Sequence, residues 1–513
     1  MRFLYNLAAI LIVMIIIPIF MLRATRERGF VERIKQSFGF YPKETIEKVA
    51  GKNAIWVHAA SVGEIVATSP LVREFRKKFP DTPILVSVVT TGGYEMAHRI
   101  IKDADAIIYF PLDLPFLASR VVGRIRPRVF LPVETELWPN FLKKAKQLDV
   151  PVMMVNGRIS DRSVKQYKYL MGMLREMIGT VKCFAMQSGI DADYIMRLGA
   201  PRELVTVTGN TKFDQAYTSV SPEERAALIR ELGLSGASHI MIAGSTHRGE
   251  EELVLAAFAA VRAKDPNVRL IIAPREVLRT IEVEHLCRKA GFTVTTRKSL
   301  QKGAEGGEDI VILDTVGELG RVYGLGDVIY IGGSLIPHGG HNILEPAAHG
   351  KAIIVGNQMF NFKDIHALFR NRNAVVTVTN GAELTRETLR LFGDAEECAR
   401  LERETLAIIN ENKGASAKSA QILVDLLAAY EARRDLRAQE RISAHRVRAT
   451  QKVANFQTYF IDLVHDKDVR GISRRLIVGV FYAFSLIYEQ LVNLKLTMYR
   501  LGWAKKEQLP CFV

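Results

Sequence analysis

From Ile55 onward, short uninterrupted apolar runs rich in β-branched residues alternate with helical patterns: IWVHAAS, ILVSVVT, AIIYFP, RVFLPVE, VMMVNGR, CFAMQS and LVTVTGN. A run without polar alternation is buried on both faces, which means the interior of a parallel sheet flanked by helices. The rhythm breaks after Asp214 at AYTSVSPEE and restarts with HIMIAGST, VRLIIAPR, DIVILDT, DVIYIGGS, AIIVG and AVVTV. Two doubly wound, Rossmann-like α/β domains are therefore expected over residues 23–214 and 226–430, joined by a linker at 215–225. In such a pair, ligands sit at the carboxyl ends of the strands, in the cleft between domains. A chain of 513 residues is long enough for both cores plus appendages.

The appendages differ from the middle. Phe3–Leu22 has Asn6 as its one strongly polar residue, and twenty helical residues match a hydrocarbon layer of ~30 Å. Residues 1–22 are thus expected to form a membrane anchor, with Pro18 kinking it. Arg23, Arg26 and Arg28 follow it while only Arg2 precedes it, so the positive-inside rule puts the rest of the chain in the cytoplasm. A cleaved signal peptide is disfavoured by the length of the apolar run and the lack of a small-x-small site after it. At the other end, Glu396–Tyr430 reads as a long amphipathic closing helix, and 431–513 as a basic helical tail. Its stretch RRLIVGVFYAFSLIYEQLVNLKLTMYRLGW suits an interfacial helix better than a span.

Charge placement narrows the partners. Residues 1–36 carry net +4 and residues 431–513 net +7, together 11 of the +15 on the chain. Basic ends on a nearly balanced middle favour an anionic surface over nucleic acid, for which the central domains also lack a stripe of basic and aromatic residues. Disorder is excluded by 48% hydrophobic and 24% charged residues, and a polytopic transporter by a mean hydropathy of +0.07. Cys183, Cys287, Cys398 and Cys511 lie more than 100 residues apart, so no CxxC pair exists and unpaired thiols in a reducing compartment are expected.

Chemistry-bearing residues collect where the apolar runs end. HAASVGE (58–64) puts Ser61, Gly63 and Glu64 at a strand-to-helix turn; Glu64 then either faces the cleft or, with Ser61, caps the helix. ETELWPN (134–140) sets Glu134 and Glu136 against an apolar strand, a costly placement unless they bind something or meet a cation. NGR (156–158) and GNTKFD (209–214) offer Arg158 and Lys212 as those cations. The second half carries AGSTHRGEE, APR (273–275), DTVGELGRVYG and GGSLIPHGGHNILEPAAHG, whose glycines and helix starts suit a phosphate, with Arg275 as a fixed charge. Neither GxSxG nor GxxxxGK[ST] occurs, and the spacing around Gly332–Gly340 lacks the Rossmann dinucleotide order, so serine hydrolase, P-loop kinase and dehydrogenase readings fail. His247, His338 and His341 have no cysteine or carboxylate at ligand spacing, so they read as hydrogen-bonding residues rather than metal ligands.

The series HAASVGE, ETELWPN, NGR, GNTKFD, APR, GEL and GGHNILEPA, in this order, resembles the 3-deoxy-D-manno-octulosonate (Kdo) transferase family, glycosyltransferase family 30, over roughly residues 1–425. The resemblance implies a GT-B enzyme at the cytoplasmic face of the inner membrane that moves Kdo from CMP-Kdo to the lipid A precursor (lipid IVA), with inversion and no metal or other cofactor. It implies that Glu64 is the general base and that Glu134 and Lys212 stabilise the transition state. It also implies that CMP is held by Pro274 and Arg275, by Gly317, Glu318 and Leu319, and by Asn342, Ile343, Leu344 and Glu345. Residues 23–214 would then bind the acceptor and 226–430 the CMP-sugar. Glu276 follows APR where the family pattern leads one to expect histidine.

Residues from about 455 to 510 resemble the start of the lipid A 4'-kinase, but the chain reaches Cys511, Phe512 and Val513 before the position of a P-loop, so no kinase activity is expected. Two other readings stay open: a GT-B transferase using a UDP-sugar, and a catalytically silent membrane-bound nucleotide-binding scaffold.

Overall fold

The computed structural model describes residues 2–23, 29–159, 171–215, 217, 220–464 and 472–501. The first seven apolar runs form one parallel sheet: β1 (Ile55–His58), β2 (Ile84–Val88), β3 (Ala106–Tyr109), β4 (Val129–Pro132), β5 (Val152–Gly157), β6 (Val181–Met186) and β7 (Val205–Val207), in spatial order β3-β2-β1-β4-β5-β6-β7. The second sheet comprises β8 (Ile240–Thr246), β9 (Arg269–Pro274), β10 (Val294–Thr296), β11 (Ile310–Ile312), β12 (Val328–Ile331), β13 (Ala352–Gly356) and β14 (Val376–Val378), in order β10-β11-β9-β8-β12-β13-β14. Every residue of β1 to β4 is buried, which is why these strands read as unbroken apolar runs. This is the two-domain, doubly wound arrangement of GT-B proteins.

Each sheet reverses its winding direction once. The reversal falls between β1 and β4 in the first, where Ile55 pairs with both Ile84 and Val129, and between β8 and β12 in the second. Such a reversal leaves a crevice outside the carboxyl ends of its two central strands. In the first domain those ends carry Glu64 and Glu134; in the second, His247 and the glycine-rich loop from Gly332.

The chain crosses between the domains twice. Helix Pro222–Glu231 begins inside the expected linker, with Ser221 and Glu224 forming a capping box, so the connecting stretch is shorter than 215–225. The closing helix expected over Glu396–Tyr430 is two helices. Ala395–Asn412 packs on the second domain, with Ile408 and Ile409 in its core, and stops at Gly414, whose φ is 97°. The helix that follows, Ala415–Val464, returns to the first domain, where Ala420, Leu423 and Leu427 join Val57, Val86 and Leu131 in one core. Asp214, at the end of the first crossing, accepts from the backbone N–H of Gly414 (2.5 Å) and Ser416 (2.6 Å) at the second.

Residues Met1–Leu427 form one compact unit and Ala428–Val513 another. The latter contains the rest of helix Ala415–Val464 and helix Ile472–Arg500, with large apolar residues from Val478 to Leu501 exposed. Residues 502–513, which include the end of the kinase-like stretch and Cys511, lie outside the described residues. Phe3–Leu22 falls within a single helix, Arg2–Arg23, of which the side chains of residues 5–15 are described; Pro18 lies outside that set. Among the described residues, no helix is long and apolar enough to cross a membrane.

Candidate active site

After β1 the chain turns through Ala59–Ser61 into helix Val62–Lys78. Ser61 is its N-cap, its Oγ accepting from Glu64 N at 3.5 Å, while the Glu64 carboxylate accepts from Ala60 N (2.7 Å) and Ser61 Oγ (2.7 Å). Glu64 therefore does cap the helix. Capping does not exhaust its role, because burial, followed by repulsion from Glu136, pushes its carboxyl up to about 7 against those hydrogen bonds. A helix-capping carboxylate in water stays near its ordinary value; one that titrates near neutrality can exchange a proton with a substrate.

At the end of β4, Glu134 adopts a left-handed backbone (φ 55°), a strained conformation for a side chain of this size. Its Oε1 lies 3.6 Å from Lys212 Nζ, both side chains being largely buried. Lys212 sits in the 3-10 turn Thr211–Asp214, fixed from several sides. Thr211 N donates to Asn156 Oδ1 (3.0 Å), Thr211 Oγ1 to the carbonyl of Ala67 (2.8 Å), and Lys212 N to Asn210 Oδ1 (3.0 Å). The motifs NGR and GNTKFD are thus one structure: Asn156, itself at φ 50°, positions the turn that presents the lysine.

Arg158 does not pair with these acids. Its guanidinium meets Asp364 of the second domain at 2.6 Å, spanning the cleft. Glu136 instead approaches His58, with Oε2 3.6 Å from Nε2, and accepts from Trp138 Nε1 (3.1 Å). That indole nitrogen also lies 3.1 Å from His58 Nε2, and the other nitrogen of this wholly buried imidazole, Nδ1, lies 3.0 Å from Ser87 Oγ. Sequence reasoning missed this support for Glu136; the only signal was a histidine inside an otherwise apolar strand.

Across the cleft, Arg275, Asn342 and Glu345 line a cavity of about 610 Å3 together with Val62, Gly63 and Lys212 of the first domain. Pro274 ends β9, and Arg275 N donates to the carbonyl of Thr246 (3.0 Å), tying the APR segment to the end of β8. Asn342 Oδ1 accepts from Leu344 N (3.0 Å) and its Nδ2 donates to Glu345 Oε1 (3.2 Å); burial raises the Glu345 carboxyl. Ile343 and Leu344 are core residues, so only their backbone can serve a ligand. Gly317, Glu318 and Leu319 stand behind the cavity wall. Glu318 is occupied by Arg297 (3.2 Å) and Thr315, and the adjoining Gly320 lies against Glu345, a Cβ there falling 3.6 Å from Oε2.

The three histidines form a stack. His247 Nε2 and His341 Nε2 are 2.8 Å apart, and His338 lies 4.3 Å from His247, ring to ring. Burial, then Arg275, holds His341 down to about 4. Two nitrogens so close can share a hydrogen bond, and among the described residues no group of three or more His, Cys, Asp or Glu could hold a metal ion. Beneath them, the wholly buried Glu250 accepts from the backbone N–H of Gly333 (2.7 Å), Ser334 (3.1 Å) and Leu335 (3.1 Å) and from Tyr330 OH (2.8 Å), shaping the glycine-rich loop. Nothing in the motif AGSTHRGEE singled this residue out.

A family described as 3-Deoxy-D-manno-octulosonic-acid transferase (kdotransferase) matches residues 32–215. The 3-deoxy-D-manno-octulosonic acid transferase of Haemophilus influenzae is 32% identical over 430 residues, covering 84% of this chain and 98% of the relative. That of Bordetella pertussis is 32% identical over 319 residues, covering 60% and 72% respectively. Among solved structures, the C-terminal CMP-Kdo binding domain of WaaA from Acinetobacter baumannii is 28% identical, covering 36% of this chain and 96% of that domain, at a TM-score of 0.34.

Proposed function

Because the chain belongs to the 3-deoxy-D-manno-octulosonic acid transferase family and is a glycosyltransferase that transfers Kdo, we propose that its donor is CMP-Kdo and its acceptor the lipid A precursor, with Glu64 as general base. The observation that carries the mechanism is the Glu64 carboxyl, raised to about 7, at the winding reversal of the first sheet, with its neighbours Val62 and Gly63 lining the same cavity as Arg275 and Asn342.

The acceptor hydroxyl gives its proton to Glu64 as its oxygen bonds to the anomeric carbon of Kdo. The bond from that carbon to the phosphate breaks on the opposite face, CMP leaves with the electron pair, and the configuration inverts. A sugar hydroxyl is a weak nucleophile, so the base must be ionised and within about 3 Å of it. CMP needs positive charge and N–H donors rather than a proton; Arg275 and the backbone around Asn342–Glu345 supply them, while Pro274 and Gly317–Leu319 support these groups from outside the cavity lining. Lys212, held against Glu134, offsets the charge passing from base to leaving group. No metal or cofactor enters this route. The N-terminal helix and the basic ends seat the protein on the cytoplasmic face of the inner membrane, beside its lipid substrate.

The test is incubation of the full chain with CMP-Kdo and a tetraacyl disaccharide acceptor, the product mass counting the Kdo units added. Transfer from a UDP-sugar instead, or none from either donor, would overturn the proposal.

A further inference from the structure

A second cavity, of about 390 Å3, lies between the N-terminal helix and the first domain. Its walls are mostly apolar, with Ile12 and Val13 from the helix and Phe38, Phe110, Leu112 and Trp138 from the domain; Arg33, Ser37 and Asp113 are the polar exceptions. Apart from Trp138, which supports Glu136, none of these side chains takes part in the chemistry derived above. Its volume falls in the range of ligand pockets, roughly 300–1,000 Å3, rather than of packing defects.

We propose that this cavity receives one acyl chain of the lipid acceptor, so that the N-terminal helix forms part of the substrate site. The inference rests on the reading of a lipid acceptor given above.

Three observations carry it. The cavity shares its wall with the reacting edge of the first sheet: Trp138 Nε1 donates to Glu136 Oε2 (3.1 Å), and Val89, another wall residue, bonds through its N–H to the carbonyl of Ala60 (3.2 Å), whose own N–H holds Glu64. A headgroup over Glu64 therefore has the cavity within reach of its attached chain. The helix is also fastened to the domain at its start. Tyr5 OH donates to Asp113 Oδ2 (3.0 Å) and Asn140 Nδ2 to Asn6 Oδ1 (2.8 Å), while the buried Asp113 also accepts from the N–H of Asn140 and Phe141. A helix serving only as a tether has no need of polar bonds to the catalytic domain, and these hold the space beside Ile12 and Val13 at a defined width. Finally, Ile10, Leu11, Met14 and Ile15 on the same helix are exposed, so an apolar surface suited to lipid adjoins the Ile12 and Val13 that line the cavity.

The experiment uses the full chain in anionic phospholipid vesicles with CMP-Kdo and a tetraacyl acceptor bearing a photoreactive diazirine at one acyl terminus. After illumination, labelled residues are mapped by mass spectrometry. Label on Val13, Phe38 or Leu112 is the expected result. Val13→Trp, which fills the space, should cut that labelling and raise the KM for the acceptor about tenfold, with kcat and the KM for CMP-Kdo within about twofold. Label confined to Ile10, Leu11 and Met14, or to the exposed helix 478–501, would overturn the inference. So would equal cavity labelling by a diazirine phospholipid, which would make the occupant a bilayer chain. Product without cavity label sinks the cavity alone, whereas no product from the unmodified protein sinks the functional reading beneath it; the labelling of unmodified protein decides even where Val13→Trp fails to fold.

Discussion

At the scale of single residues, the carboxyl of Glu64 is set by opposed effects: burial and the Glu136 and Glu134 charges raise it, the Ala60 N–H and the Ser61 hydroxyl lower it, and the former win, leaving it at about 7. A general base works only when ionised. Transfer should therefore increase about tenfold per pH unit as pH rises toward 7 and level off above it, which a kcat/KM profile over roughly pH 5 to 9 will show. Replacing Glu136 by Gln removes one repelling charge, so the midpoint should move to lower pH, whereas a purely structural role would lower the rate without moving it. Glu64→Gln should lower kcat about 10²- to 10⁴-fold while CMP affinity, measured by calorimetry, stays unchanged. Lys212→Ala leaves Glu134 as a largely buried carboxylate without its cation, and a fall in kcat larger than any change in acceptor KM is expected. The placement of Glu64, Glu134 and Lys212 past strand ends was legible in the sequence, because each lies within six residues of the end of an apolar run, whereas the roles given to them came from the family resemblance alone. The partner of Arg158 was not, since Asp364 belongs to the other domain and no local spacing connects the two.

At the scale of elements, runs such as ILVSV and AIIVG are unambiguous because strands buried on both faces admit few polar residues, the buried Ser87 of the first being satisfied by the indole N–H of Trp56 (2.8 Å). β10 escaped notice for the opposite reason: Val294–Thr296 is three residues long with two threonines at a sheet edge. The break at Gly414 was equally hard to see, since the amphipathic pattern continues on both sides of it while the face it serves changes from one domain's core to the other's. Glu250 is the element-scale counterpart of Glu64. It is a carboxylate spent on structure, satisfying three consecutive N–H groups of the loop after β12. Removing an acceptor from buried donors costs about 1–3 kcal/mol for each group left unpaired. Glu250→Ala should therefore lower the thermal midpoint by several degrees and weaken CMP binding through a loosened loop, while the acceptor KM, set in the other domain, changes little.

At the scale of the whole catalytic unit, the two domains are joined by contacts of very different strength. Asp214 ties the two crossings together through two short hydrogen bonds to backbone N–H groups, an arrangement that fixes where the chain can bend. The Arg158–Asp364 bridge spans the open part of the cleft, its side chains 36% and 64% exposed, and pairs so exposed contribute about 0.2–1 kcal/mol. A hinge that is firm and a latch that is weak suit a site whose substrates must enter and leave from between the domains: the latch biases closure without holding product. Arg158→Ala should accordingly shift the balance toward separation by no more than about fivefold, seen as a larger mean distance between fluorophores placed on the two domains. Asp364→Ala should give the same shift, and the double variant no more than either single one, because both remove the same pair. If the two shifts added instead, Arg158 and Asp364 would each act through other groups, and closure would have to be ascribed to contacts elsewhere in the cleft.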